Sequence, residues 1–192
     1  MRLVAIVLAA GSARRFGSDK LGAMLEGEPL LFHAIRAARA APVERVIVVA
    51  RPRLETGDWR AGPPVEVLRI ESGALSTSLK AGIAAAAQAK ADGAFVFLGD
   101  MPRIPHQAAF ALAAMANGAW ACAPRHEGLP GHPVLLSSRA FDEVARIEGD
   151  KGAGTLLRDR DDVHWLDWPD AAICLDVDRP QDLDRLKPSD QA

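Results

Sequence analysis

Leu3-Val4-Ala5-Ile6-Val7-Leu8-Ala9, followed by Ala10-Gly11-Ser12-Ala13-Arg14-Arg15-Phe16-Gly17-Ser18-Asp19-Lys20, is the stretch on which the fold turns. Seven apolar residues in succession, with Val4, Ile6 and Val7 branched at Cβ, read as a strand buried on both faces. The same run imitates a secretory leader. Its apolar core is at the short limit, however, one Arg precedes it, and Arg14-Arg15 follow at once, so a buried first strand explains it better. The turn after it is rich in small residues and carries Arg14, Arg15 and Lys20. Such a loop can aim backbone N–H groups and cations at a phosphate chain, and ligands of open α/β sheets bind beyond the carboxyl ends of strands. It lacks the spacing of a Walker A loop and of G-x-G-x-x-G.

Outward from this strand, short apolar runs at residues 46–50, 65–70, 95–98 and 173–177 alternate with helical stretches, the pattern of βα units. Pro29 suits a first helical turn, and Leu31, Ala34, Ile35 and Ala38 repeat at helical spacing up to about Pro42. A second helix is expected from Ser76-Thr77-Ser78, where a hydroxyl can cap it, to about Lys90, and a third over 105–117. The reading is an α/β fold: a three-layer αβα sandwich around a mostly parallel, Rossmann-like sheet. Regularity fails over about 125–163, where Gly128, Pro130, Gly131 and Pro133 crowd together and a helix is expected over 138–147. This segment is read as an excursion from the sheet that walls one side of a site. Residues 1–187 would form one domain, with 188–192 a frayed tail.

At 192 residues the chain is too short for a (β/α)₈ barrel, which needs about 250. Its 49% hydrophobic and 25% charged residues can build an ordinary core. A net charge of −2 argues against a nucleic-acid partner held by phosphate neutralisation. Cys122 and Cys174 have neither CxxC spacing nor neighbouring histidines, so no zinc site or disulfide framework is encoded and a cytoplasmic location is expected. No run of 18 apolar residues exists to span a membrane.

From Leu8 to Lys20 every defined position matches L-A-[AG]-G-x-x-x-R-[MF]-G-x-x-K, and here the sequence resembles the MobA-like nucleotidyltransferases. Further segments are similar to their molybdenum cofactor cytidylyltransferase branch. They are Leu75-Ser76-Thr77-Ser78-Leu79-Lys80-Ala81-Gly82, Leu98-Gly99-Asp100-Met101-Pro102 and Gly131-His132-Pro133-Val134-Leu135. Two more are Gly149-Asp150-Lys151-Gly152-Ala153 and Leu175-Asp176-Val177-Asp178-Arg179-Pro180-Gln181-Asp182-Leu183. The resemblance implies a nucleotide-diphospho-sugar transferase type of fold. It also implies transfer of CMP from CTP to the phosphate of molybdopterin or molybdenum cofactor, with release of pyrophosphate and with magnesium.

By the same resemblance Arg15, Lys20 and Asp100 would be catalytic. Leu8, Ala9, Ala10, Gly11, Ser12, Arg15, Lys20 and Ser78 would hold the nucleotide. Asp100 would be the metal ligand, which fits a carboxylate at the end of a strand facing the first loop. A second ligand is expected nearby, with Asp178 favoured over Asp176. Gly131 and His132 would face the acceptor, although Gly154 stands where the family commonly has Arg. Ala10 occupies a position at which guanylyl-transferring relatives commonly have Gly, and its methyl would crowd a purine. A molybdoenzyme or its maturation factor is the expected protein partner. The rival readings are transfer to a sugar or polyol phosphate, guanylyl transfer to molybdopterin, and a noncatalytic cofactor carrier.

Overall fold

The computed structural model describes residues 1–11, 16, 19–71, 74–147, 153–158 and 160–186. Ser12, Arg15, residues 149–152 and the expected tail therefore lie outside the described residues.

The first strand, β1 (Leu3–Ala9), is buried at all seven positions, as its unbroken apolar run requires. A two-stranded ribbon, β2 (Met24–Leu25) and β3 (Glu28–Pro29), leads into helix α1 (Leu30–Ala40), with Pro29 as the residue before the first turn. Strands β4 (Val46–Ala50) and β5 (Val65–Arg69) follow, then α2 (Leu75–Gln88), β6 (Gly93–Leu98) and α3 (His106–Ala114). The second half supplies β7 (Ala121–His126), β8 (Leu129–Pro130), β9 (Val134–Ser137), α4 (Phe141–Val144) and α5 (Ala153–Leu157). It ends with β10 (Val163–Asp167) and α6 (Pro180–Leu186).

Among the described residues eight strands form one sheet in the order β10-β7-β9-β6-β1-β4-β5, with β8 on β7. The pairs β1–β4, β1–β6, β4–β5 and β7–β10 are parallel, while β9 runs antiparallel to both β6 and β7. The sheet is mixed and mostly parallel, with helices on both faces. Alternation along β1 divides the core between them: Ala5, Val7 and Ala9 pack with Leu31, Ile35 and Leu112, and Val4, Ile6 and Leu8 with Leu79, Ile83 and Val144. Helices α1 and α3 thus cover one face, and α2 and α4 the other. Where α2 crosses β1 the backbones come close, because a Cβ on Gly82 would lie 2.5 Å from Ile6 Cγ2.

Several expectations are corrected. Residues 173–177 are not a strand: Ala171–Cys174 form a 3₁₀ turn, capped by the Asp170 side chain, which accepts from the Ala172 N–H at 2.9 Å. The segment beyond it meets the end of β6 through one bond, Val177 N–H to the Asp100 carbonyl at 3.0 Å, without a ladder. The stretch 125–163 leaves the sheet only in part, since Val134–Ser137 returns as β9 between β6 and β7. The helix expected over 138–147 is a 3₁₀ turn, Ser138–Ala140, followed by the short α4. Helix α2 begins after Ala74, and among the described residues no hydroxyl caps it.

Candidate active site

Strands β1 and β6 run side by side, with Leu8 opposite Leu98, so the chain leaves both at the same end of the sheet. Gly99 permits this contact. A Cβ there would stand 3.1 Å from the Leu8 carbonyl oxygen and 3.2 Å from Leu31 Cδ1, and its N–H donates to the Leu8 carbonyl at 3.0 Å. Asp100 therefore emerges beside Ala10 and Gly11. Ala9 and Ala10 are buried, while Gly11 is exposed and, among the described residues, has nothing within 4 Å of where a Cβ would sit.

The loop from β1 returns through a 3₁₀ turn, Lys20–Gly22. Just before it, the Asp19 carboxylate is paired with Arg51 at the end of β4. The Lys20 ammonium donates to Asp100 Oδ2 at 2.7 Å and to Asp178 Oδ1 at 3.3 Å. Only 13% of the Lys20 side chain is exposed, against 23% of Asp100 and 45% of Asp178. Burial is the largest single influence on Lys20 and pulls its pKa down. Hydrogen bonds and charge from Asp100, and then from Asp178, together outweigh it and hold the ammonium above its ordinary value.

Asp176 completes the cluster. One carboxylate oxygen from each of Asp100, Asp176 and Asp178 lies within 4.8 Å of the others. Asp176 is exposed as a residue, but partial burial of its carboxyl, then the charges of Asp178 and Asp100, push that carboxyl above the usual aspartate range. Lys20 offsets one of three negative charges. A set of hard oxygen donors with surplus negative charge suits a divalent cation such as magnesium or manganese, so the residues present fit the metal expected from the sequence.

The two aspartates share this site without lying on a strand. Val177 between them is fully buried in a small apolar cluster with Phe16, Leu25 and Leu30, against which Leu183 and Leu186 of α6 pack. Downstream, Asp182 Oδ2 accepts the backbone N–H of Asp178 at 3.0 Å and that of Arg179 at 2.8 Å. Sequence reading passed over Asp182, although a Pro at the first helical position and an acid two residues later are a helix-start signature.

His132 is brought to the same end of the molecule. Its Nδ1–H donates to the Val96 carbonyl at 3.3 Å, and its backbone N–H to the Ile173 carbonyl at 2.8 Å. Burial holds the imidazole below the usual histidine range against the opposing effects of the Val96 carbonyl and the Asp100 charge. Gly131 is pressed so close that a Cβ would lie 2.6 Å from the Ile173 carbonyl oxygen. Ser78 is different. It is buried within α2, and its hydroxyl donates to the Ala74 carbonyl at 3.1 Å. Arg15 and Ser12 are outside the described residues.

Beyond the ends of β1 and β6, then, one lysine and three aspartates stand together, a cation and a set of hard oxygen donors of the kinds that phosphate chemistry uses. The family model for the MobA-like NTP transferase domain matches residues 5–163, and the chain belongs to that family of nucleotidyltransferases. It is 27% identical to the purine catabolism protein PucB of Bacillus subtilis (strain 168), with 96% of each chain covered. A probable molybdenum cofactor guanylyltransferase of Thermococcus gammatolerans is 33% identical over 74% of this chain and 73% of its own. Among solved structures, Rv0371c from Mycobacterium tuberculosis H37Rv superposes with a TM-score of 0.82 at 25% identity, covering 97% of this chain and 98% of that one. A manganese complex of the same protein gives a TM-score of 0.78 at 26% identity, covering 97% and 98%.

Proposed function

We propose that this nucleotidyltransferase moves CMP from CTP to the terminal phosphate of a molybdopterin-type acceptor, with magnesium as its metal. The observation that carries the reading is Lys20 seated between Asp100 and Asp178 beyond the ends of β1 and β6. In the reaction an acceptor phosphate oxygen bonds to the α-phosphorus of the nucleotide as the bond to the bridging oxygen of pyrophosphate breaks, and the electron pair leaves on pyrophosphate. Charge spreads over several oxygens, so positioning and neutralisation are the main demands on the protein.

Asp100 and Asp178, with Asp176 beside them, would hold the metal, which when bound neutralises phosphate charge. The Lys20 ammonium and the Arg15 guanidinium would supply further positive charge to the phosphates. Leu8 to Ser12 would offer backbone to the nucleotide, with the exposed Gly11 among them. Ser78 would contribute to the nucleotide side, and Gly131 and His132 to the acceptor side. Ala10, standing where guanylyl-transferring relatives commonly have Gly, supports a pyrimidine over a purine. Two free thiols, Cys122 and Cys174, suit a cytoplasmic setting in which the product passes to a molybdoenzyme. No helix among the described residues is long and apolar enough to cross a membrane.

The Thermococcus relative is named for guanylyl transfer, so a GTP-using enzyme is the second reading. Pyrophosphate release assayed with a panel of nucleoside triphosphates, with and without molybdopterin, tests both. The first requires release that depends on CTP, molybdopterin and magnesium together. A GTP preference supports the second, and release with a polyol phosphate but not molybdopterin removes the acceptor.

A further inference from the structure

Asp178 reaches the carboxylate cluster from a segment that no sheet ladder supports, since the sole backbone bond from this run to β6 is the one donated by Val177 to Asp100 among the described residues. Something else must fix the backbone from which its side chain projects. Val177 is buried and anchors one side. On the other side a single acceptor, Asp182 Oδ2, takes the N–H of Asp178 itself and that of Arg179.

We infer that Asp182 is a positioning residue for the metal centre, holding the Asp178 backbone so that its carboxylate stays within ligand distance of Asp100 and Asp176. The inference rests on the proposed assignment of that cluster to a divalent metal. Asp182 also caps α6, and a carboxylate reaching back to the N–H groups before a helix is an ordinary cap. Here the residue whose N–H it takes is the candidate ligand. A cap elsewhere would stabilise its helix alone. This one restricts the angle at which Asp178 leaves the chain, and a bond on that scale separates a preorganised ligand from a loose one. The carboxylate accepts both backbone N–H bonds through one charged oxygen, a stronger acceptor than a neutral one.

The test is Mn2+ binding to the full chain without nucleotide, followed by electron paramagnetic resonance, for wild type, Asp100→Asn, Asp182→Ala and Asp182→Asn. Thermal unfolding is measured on the same samples. Asp182→Ala is expected to weaken Mn2+ binding about tenfold or more, in line with losses on removing outer partners of metal ligands. Asp182→Asn keeps an amide oxygen that can accept the same N–H groups and is expected to stay within about threefold of wild type. If Asp182→Ala fails to fold, Asp182→Gln, which displaces the acceptor by one methylene, takes its place with the same expectation. A lowered Tm with unchanged Mn2+ affinity would show that Asp182 only caps α6 and would overturn the inference, as would equal losses in the Ala and Asn variants. Wild type that does not bind Mn2+, or Asp100→Asn that binds it as well as wild type, would instead remove the metal assignment itself.

Discussion

Asp100 is the least exposed of the two aspartates that bind Lys20, and it also leaves a strand held on both sides, so its loss should be felt most. Asp100→Asn keeps the size and removes the charge. Turnover is expected to collapse, with smaller losses for Asp178→Asn and the least for exposed Asp176→Asn. Turnover and magnesium titration of the three variants check the order, and a larger loss at Asp176 than at Asp178 would reverse it. Lys20→Ala leaves two aspartates without their shared ammonium, so loss of a preorganised donor should lower kcat/KM on the order of 100-fold, or roughly 2.7 kcal/mol. Near-normal turnover would confine Lys20 to a structural salt bridge.

His132 gives a pH signature. Because folding depresses its pKa below the ordinary 6.5, the unfolded chain takes up the proton more readily. Its contribution to stability is whole above about pH 6.5 and is lost as pH falls from there through the folded value. Denaturant unfolding of wild type and His132→Gln between about pH 5 and 8 should show the stability difference between them shifting against wild type on acidification. A difference that stays constant would mean that burial leaves the imidazole unperturbed.

Among the elements, α2 is set by one missing side chain. Gly82→Ala gains about 1 kcal/mol in helix propensity but drives a methyl into Ile6, where overpacking costs roughly 1 to 3 kcal/mol. A net loss of stability is expected in chemical denaturation. Adding Ile6→Ala should make the double variant less unstable than the two single losses predict, because the clash is with Ile6 Cγ2. Strict additivity would show that α2 shifts away instead.

Legibility in the sequence followed the environment of each element. Strands β1 and β4 are buried on both faces, so their unbroken apolar runs declared them. Strand β9 has only Val134, Leu135 and Leu136 before Ser137, and β10 mixes His164 with Trp165, so neither had the length or pattern to stand out. Residues 173–177 imitated a strand as a short apolar run, yet Asp170 caps a turn there and Leu175 is exposed. Asp100 and Lys20 were readable as motif residues. Their hydrogen bond was not, because it spans 80 positions, and that from Lys20 to Asp178 spans 158.

At the scale of the whole molecule, the order of strands in space departs from their order in the chain. Strand β1 lies between β4 and β6 and so depends on partners from both sides, and β6 begins only at Gly93. During synthesis β4 can reach β1 early, but the other edge of β1 must wait until residue 98 has left the ribosome. At about 5 to 20 residues per second this is a delay of roughly 5 to 20 s. Throughout it a fully apolar strand offers an unpaired row of N–H and C=O groups to any neighbouring nascent chain. A fragment ending at Asp92 should therefore self-associate, measurably by light scattering, whereas one extended through Ser137, which supplies β6 and β9, should do so far less. The residues that make β1 the spine of the finished sheet make it the most exposed liability of the chain while it is being born.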